Sequence, residues 1–469
     1  MAVSGAAREA LAGEFPGGVV VEAEAMAPHL VDWFGLARGA ALAVLRPRDV
    51  AEVQAMVRAC GRLGLGVVPQ GGATGLVGGA LPDDAERQVV LSLGRLNRIR
   101  RLDPDDYSCV AEAGCVLQAV KDAVAERDLF LPLSLGAQGT AQIGGVISTN
   151  AGGINVLRYG MMREQVLGLE VVLADGTLWN GLNTLRKNNM GPDLKQLFVG
   201  AEGGFGVITA AALRLVPRPT ARAAALVGLP DLPAVARAFH LARRLCSDLL
   251  SAFEFLTPVA MAIAREASVN PPALAGDCGA YVLVELAAPG PVDLDALLEG
   301  FLEAAMAEGV VADGILAASG AQADRIWALR EAVNEGQARR GVFLRSDVSV
   351  PLSALPAFVG RACAAIEAAM PEVFAVAYGH FGDGNVHLNV LPRTPMDPAA
   401  WKPVEARAKA ILNAEVDAFA GSISAEHGVG RLKRADFEAR LDPEKRALLL
   451  GLKRMLDPEG RMNPGSQLG

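Results

Sequence analysis

Glycine is concentrated in three short segments of this chain, residues 71–79, 136–153 and 200–206, with apolar runs that read as strands beside them. Successive N–H groups of a glycine-rich turn can form a concavity for an anion, and the missing Cβ lets backbone approach a ligand closely. The stretch of chain just after the first segment, PQGGATGLVGGA, decides between fold classes. A Rossmann loop must open a helix, whereas this one runs through Pro82 and Asp83 into a strand at Val89–Leu93. A Rossmann dinucleotide site is thereby excluded. A phosphate-bearing cofactor must sit in a different, strand-flanked setting.

The surrounding pattern is α+β. LAVL (42–45) reads as a strand, Asp49 caps a helix with Val50, Val53, Val57 and Cys60 on one face, and a strand comes next at 65–68. From 107 to 217 the runs YSCVAEAG, GLEVVLADGT and FGVITAAALRLVP are strand-like, the middle one closed by an Asp-Gly turn at 175–176. RLVPRPT (214–220) marks a domain boundary. Beyond it, helical stretches at 231–250, 292–308, 355–370 and 402–420 alternate with strands such as YVLVEL (281–286) and VFAVAYGHF (373–381). This predicts a sheet backed by helices. The expected organisation is an N-terminal segment (1–36), a cofactor domain (37–217), a substrate or cap domain (218–420) and a C-terminal segment (421–469) whose tail is a helix and then irregular, docked chain.

With 469 residues and 51% hydrophobic composition, the chain can bury the cores of two or three domains. Its net charge of -8 arises from 44 basic and 52 acidic residues without a long run of either sign, which argues against a nucleic-acid partner. No uninterrupted apolar run reaches the roughly 18 residues of a membrane helix, and the N-terminus lacks a signal-peptide pattern, so the expectation is a cytoplasmic protein. The six cysteines form no CxxC pair, which disfavours an iron–sulfur cluster or zinc ribbon.

Three of the five histidines fall in YGHFGDGNVHLNV and SAEHGVGRL. The first reads as a strand that ends in a turn and restarts, bringing His380 and His387 toward one point. Two imidazoles and the Glu426 carboxylate suit Zn²⁺ or Mn²⁺ with positions open for substrate, and His427 stands beside them as a base. Taken singly, such a histidine is more often a satisfied core residue. The same set could also activate water in a metal-dependent hydrolase. A hydrolase, however, has no use for the three glycine segments.

PQGGATGL, GTAQIGGVISTNAGG, LGLEVVLADGT and VGAEGGFGVIT together resemble the FAD-binding domain of the vanillyl-alcohol oxidase type flavoproteins. GHFGDGNVHLN and EHGVG resemble the C-terminal half of the FAD-linked D-2-hydroxyacid dehydrogenases, which include D-2-hydroxyglutarate and D-lactate enzymes. The resemblance covers roughly residues 40–469. It implies FAD, expected to be noncovalent because the first loop offers no histidine of the kind some relatives use for a covalent bond, with Pro69, Gly71, Gly72, Thr74, Gly75 and Leu76 around the pyrophosphate. It also implies cofactor contacts from Gly136, Gly139, Thr140, Gly144, Gly145, Ser148, Asn150, Gly152 and Gly153, and from Glu202, Gly203, Gly206, Ile208 and Asn463. Ala73 and Gln142 depart from the usual residues, without removing a backbone contact. His380, His387 and Glu426 would hold the metal, Asn389 would touch substrate, and His427 would be the base.

IWALREAVNEG and FLRSDVSVP resemble the substrate-anion segments of the hydroxyglutarate branch. Arg330 matches its carboxylate-binding arginine, Asn334 stands where Ser or Thr is usual, and Arg345 replaces a lysine. Two cations favour a dicarboxylate such as D-2-hydroxyglutarate or D-malate over D-lactate. The unspecific alternative is an ordinary surface pair of arginines on a helix and a strand. A noncatalytic flavin subunit is disfavoured by the intact histidine set. Reduced flavin would pass its electrons to an electron-transfer flavoprotein, a quinone or oxygen, and a homodimer is the default assembly.

Overall fold

The computed structural model describes residues 2–35 and 37–467, so the expected boundary after residue 36 lies on a position outside the described residues. The chain forms two compact units, one drawn from residues up to 153, 159–217 and 426 onward, the other from 154–158 and 218–425.

Among the described residues the first unit holds a four-stranded sheet, a five-stranded sheet and a two-stranded pair of Leu129–Phe130 with Val216–Pro217. Strands β1 (Val19–Val20), β2 (Ala43–Leu45), β3 (Gly66–Gln70) and β4 (Gln88–Ser92) lie in the order β1-β2-β4-β3. β2 and β3 both run parallel to β4. Parallel neighbours need a crossover, and α1 (Val50–Arg62) lies between β2 and β3 in the chain. Asp49 caps α1 by accepting from the Glu52 N–H, and Val53, Met56, Val57 and Cys60 are its buried face. The second sheet is antiparallel, with β5 (Ile99–Asp103), β6 (Ser108–Glu112), β7 (Val166–Val172), β8 (Leu178–Asn180) and β9 (Val207–Arg214) in the order β5-β6-β9-β7-β8. Helix α2 (Ile143–Ser148) precedes β7. β9 is buried from Val207 to Leu213, which is why it reads as a continuous apolar run rather than an alternating one. The Pro- and Gly-bearing tail docks as a further bridge on β3: Val67 donates to the Arg461 carbonyl and accepts from the Asn463 N–H, both at 2.8 Å.

The second unit is a seven-stranded antiparallel sheet with helices on both faces. Its elements are β10 (Ala221–Leu229), α3 (Leu232–Cys246), β11 (Leu250–Leu256), α4 (Pro258–Ala267), β12 (Ala280–Ala288), α5 (Leu294–Ala307), β13 (Asp313–Leu316), α6 (Gly320–Ala338), β14 (Val348–Ser349), α7 (Leu355–Ala369), β15 (Val373–His380), β16 (Asn385–Pro392) and α8 (Pro398–Ala418). The strand order is β13-β10-β12-β11-β15-β16-β14. Side chains alternate across a sheet. Phe253, Phe255, Ala377 and Leu388 therefore join one apolar layer with α3, α5, α7 and α8, while Leu256, Tyr378 and Leu391 join another with α4 and α6. Leu352–Ala369 has the length and mean hydropathy (1.3) of a membrane span, but it carries Arg361 and Glu367. Its residues Leu355, Phe358, Val359, Ala362 and Ile366 are buried in the first of these layers.

The turn that joins β15 to β16 ends at Gly384, whose φ is +83° and where an added Cβ would lie 2.5 Å from the Val350 carbonyl. Gly384→Ala should therefore cost about 1–3 kcal/mol. The check is a lower denaturant midpoint at unchanged slope.

Candidate active site

In the first unit the glycines divide into two kinds. At Gly72 a Cβ would lie 2.1 Å from the Thr140 carbonyl, so the first two loops meet backbone to backbone. At Gly75, Gly136, Gly139 and Gly145 a Cβ would enter open space, which is what a cradle for a close-fitting cofactor requires. Gln142 lies between Gly71 and Gly94, and its Oε1 is buried without a hydrogen-bond partner among the described residues. A cofactor ring bearing an N–H would satisfy it. Both observations fit FAD.

Other residues expected around the cofactor carry protein contacts of their own. The Asn150 Oδ1 accepts from the Arg163 N–H at 2.8 Å, and Pro69 packs on Gly203. Glu202 is buried in a left-handed conformation (φ +50°). Its Oε1 accepts from the Val429 N–H at 2.6 Å and its Oε2 from the Gly430 N–H at 2.7 Å. Burial raises the Glu202 pKa, and these N–H groups oppose the shift. Asn463 donates to the carbonyls of Gly79 and Glu202. Glu202 and Asn463 thus fasten residues 429–430 and the tail to the cofactor unit.

In the second unit the register assembles a polar patch on the face covered by α6. Glu254 on β11 pairs directly with His380 on β15, and Tyr378 pairs with His387 on β16. The two imidazoles stand 5.7 Å apart between centroids at 76°, with ring nitrogens within 4.8 Å of each other. Helix α6 presents Arg330, Asn334 and Gln337 at helical spacing toward this face. The Arg330 Nε donates to Glu254 Oε2 at 3.0 Å, and the guanidinium lies 4.8 Å over the Tyr378 ring. The Tyr378 hydroxyl donates to Asn334 Oδ1 at 2.6 Å and accepts from Gln337 and Asn389 at 3.3 Å each. Asn389 also accepts from the Ser346 N–H and donates to Gln337, so its amide braces the patch.

Arg330 is 5% exposed, which rules out the surface-pair alternative for it. Arg345 is exposed, with its guanidinium over Phe343, and lies in the segment between Leu344 and β14 rather than on the strand that the surface-pair alternative gave it. Strand β14 is too short to extend there. Glu426 and His427 come directly after Ala425, whose N–H donates to the Asp347 carbonyl at 3.3 Å. Ser349 and Ser422 exchange backbone bonds just upstream.

The residue that sequence reasoning missed is Glu254. Its Oε1 lies 2.6 Å from His380 Nδ1 while its Oε2 takes Arg330. Burial works to raise its pKa, but His380 and Arg330 prevail and hold it below the usual carboxylate range, so the carboxylate is ionised. The signal was a lone acid within the apolar strand LSAFEFL. A metal-binding histidine typically donates its second ring N–H to a carboxylate. The Glu254 contact at Nδ1 meets that condition, so Nε2 of His380 would be the atom that ligates a bound ion.

A flavin cradle in one unit and a histidine pair backed by a buried carboxylate in the other define a flavin-dependent oxidoreductase. Residues 41–181 match the FAD binding domain and residues 218–466 the C-terminal domain of FAD linked oxidases. The mitochondrial D-2-hydroxyglutarate dehydrogenase of Bos taurus is 40% identical over 461 residues, covering 97% of this chain and 81% of that one. The D-2-hydroxyglutarate dehydrogenase of Xanthomonas citri pv. viticola is 39% identical, covering 90% and 88%. The fold matches that of p-cresol methylhydroxylase, a flavoprotein of the vanillyl-alcohol oxidase type, with a TM-score of 0.75 at 18% identity over 100% of this chain and 97% of that one. The chain belongs to the FAD-linked oxidases, and within them it is an FAD-dependent D-2-hydroxyacid dehydrogenase.

Proposed function

We propose that the hydroxyacid is D-2-hydroxyglutarate, oxidised to 2-oxoglutarate, and that a divalent ion held by His380, His387 and Glu426 takes part. The observation that carries the substrate is Arg330, a cation buried on the same sheet face as both histidines. A buried guanidinium is suited to bidentate capture of a carboxylate, here the distal one, and Arg345 adds a second positive charge. The names of the relatives above support the same acid.

Zinc or manganese at that site would supply Lewis acidity toward the 2-hydroxyl and its neighbouring carboxylate. Bound FAD would supply the acceptor, at N5, for the α-hydrogen and its electron pair. His427 takes the hydroxyl proton as the C–O bond becomes C=O. Arg330 and Arg345 fix the far end of the substrate, so that the α-carbon is presented in one orientation. Without an iron–sulfur or nicotinamide motif in the chain, electrons then leave to an external acceptor, an electron-transfer flavoprotein or a quinone.

Anaerobic mixing with single D- and L-hydroxyacids, monitored by flavin absorbance near 450 nm, tests this reading. D-2-hydroxyglutarate should bleach the flavin faster than D-malate or D-lactate. A chelator should slow bleaching about 100-fold or more, with recovery on adding Zn²⁺ or Mn²⁺. Faster bleaching by D-lactate would reassign the substrate, and indifference to chelation would remove the metal.

A further inference from the structure

We propose that Glu254 is a positioning residue that couples the metal end of the site to the end that binds the distal carboxylate. This rests on the metal and substrate reading above and deepens it.

Each oxygen of one side chain serves a different partner. Oε1 meets His380 Nδ1 at 2.6 Å, and Oε2 accepts from Arg330 Nε at 3.0 Å. Glu254 is 1% exposed and Arg330 5%. The pairing of β11 with β15 sets Glu254 directly opposite His380, so the first contact is fixed by sheet register. The second is fixed by helix packing: α6 lies over this face through Ile326, Leu329 and Val333, and Tyr378 stacks under the guanidinium. With Nε held by Glu254, Nη1 and Nη2 have no hydrogen-bond partner among the described residues. They are the N–H groups left to receive a substrate carboxylate. One carboxylate therefore sets both the His380 tautomer that can ligate through Nε2 and the direction in which Arg330 offers its fork.

A purely structural acid would need neither oxygen on these partners. Glutamine cannot replace Glu254, because its amide has one acceptor oxygen and an NH₂ that would face a donor. Aspartate keeps the charge but is one methylene shorter. The test measures E254Q and E254D beside the wild-type FAD-loaded protein. Zinc affinity is read by competition with a chromophoric chelator, and KM is read for D-2-hydroxyglutarate and for D-lactate. E254Q should lose roughly 10–100-fold in zinc affinity. It should raise KM for D-2-hydroxyglutarate roughly tenfold or more relative to KM for D-lactate. E254D should fall between E254Q and wild type in both.

A folded, flavin-replete E254Q with unchanged zinc affinity and unchanged KM ratio overturns the proposal. So does a change in only one of the two, because the coupling would then be absent. Failure of both variants to fold assigns Glu254 a structural role and overturns it equally. A wild-type protein that binds no stoichiometric zinc, or that D-2-hydroxyglutarate does not reduce, instead overturns the underlying reading.

Discussion

His427→Ala should leave the flavin almost wholly oxidised on the timescale in which the wild-type protein is bleached by D-2-hydroxyglutarate. A positioned general base is worth about 10²–10⁴-fold in rate, and no other histidine adjoins the Glu426 position in sequence. The effect should fall on the reductive rate rather than on binding. The metal would remain on His380, His387 and Glu426, and the distal carboxylate on Arg330. Stopped-flow bleaching against substrate concentration separates the two, since the limiting rate should collapse while the half-saturating concentration stays near the wild-type value. A limiting rate within threefold of wild type would remove His427 from the base role. His427→Gln should behave like alanine if proton transfer, rather than packing, is what is lost.

Arg330→Met should be the most damaging single change in the second unit. It removes the cation from a carboxylate that is 1% exposed and ionised, leaving His380 to compensate alone. Breaking a buried pair in this way costs about 3–5 kcal/mol. Methionine fills much of the volume, so the loss reports on charge more than on a cavity. Denaturant unfolding of the variant measures the first effect. The second should appear in substrate choice, with KM for D-2-hydroxyglutarate rising far more than KM for D-lactate. A variant as stable as wild type and equally selective would deny Arg330 both roles.

Much of the fold was legible because it rests on local chemistry. The Asp49 cap, the buried face of α1 and the passage of the first glycine loop into β4 instead of a helix are all decided within a few residues. The FAD-binding character was carried by the loops themselves. The features that stayed hidden depend on partners distant in sequence. Glu254 lies 76 residues from Arg330 and 126 from His380, and only the strand order brings them together. The link from Glu202 to Val429 spans 227 residues, so no local pattern reveals it. Arg330 was named from its neighbours in sequence, yet its burial depends on α6 lying flat on a sheet that no local pattern foretells. The shape of Asn389's surroundings was hidden for the same reason, since its contacts come from Ser346, Gln337 and Tyr378 on three separate segments.

Pairing by alternation also makes this patch a matter of parity. Glu254, Tyr378, His380, His387 and Asn389 share one face of three adjacent strands, and the opposite face holds Phe253 and Phe255, against which Phe381 of the following turn packs. Side chains on these strands can be exchanged one at a time, but the spacing along each strand cannot change by an odd number without sending an imidazole or a carboxylate into the aromatic layer. Variation in this part of the molecule is thus free to proceed by substitution and by growth of the connecting loops. Loss or gain of a single residue within β11, β15 or β16 would erase the patch outright.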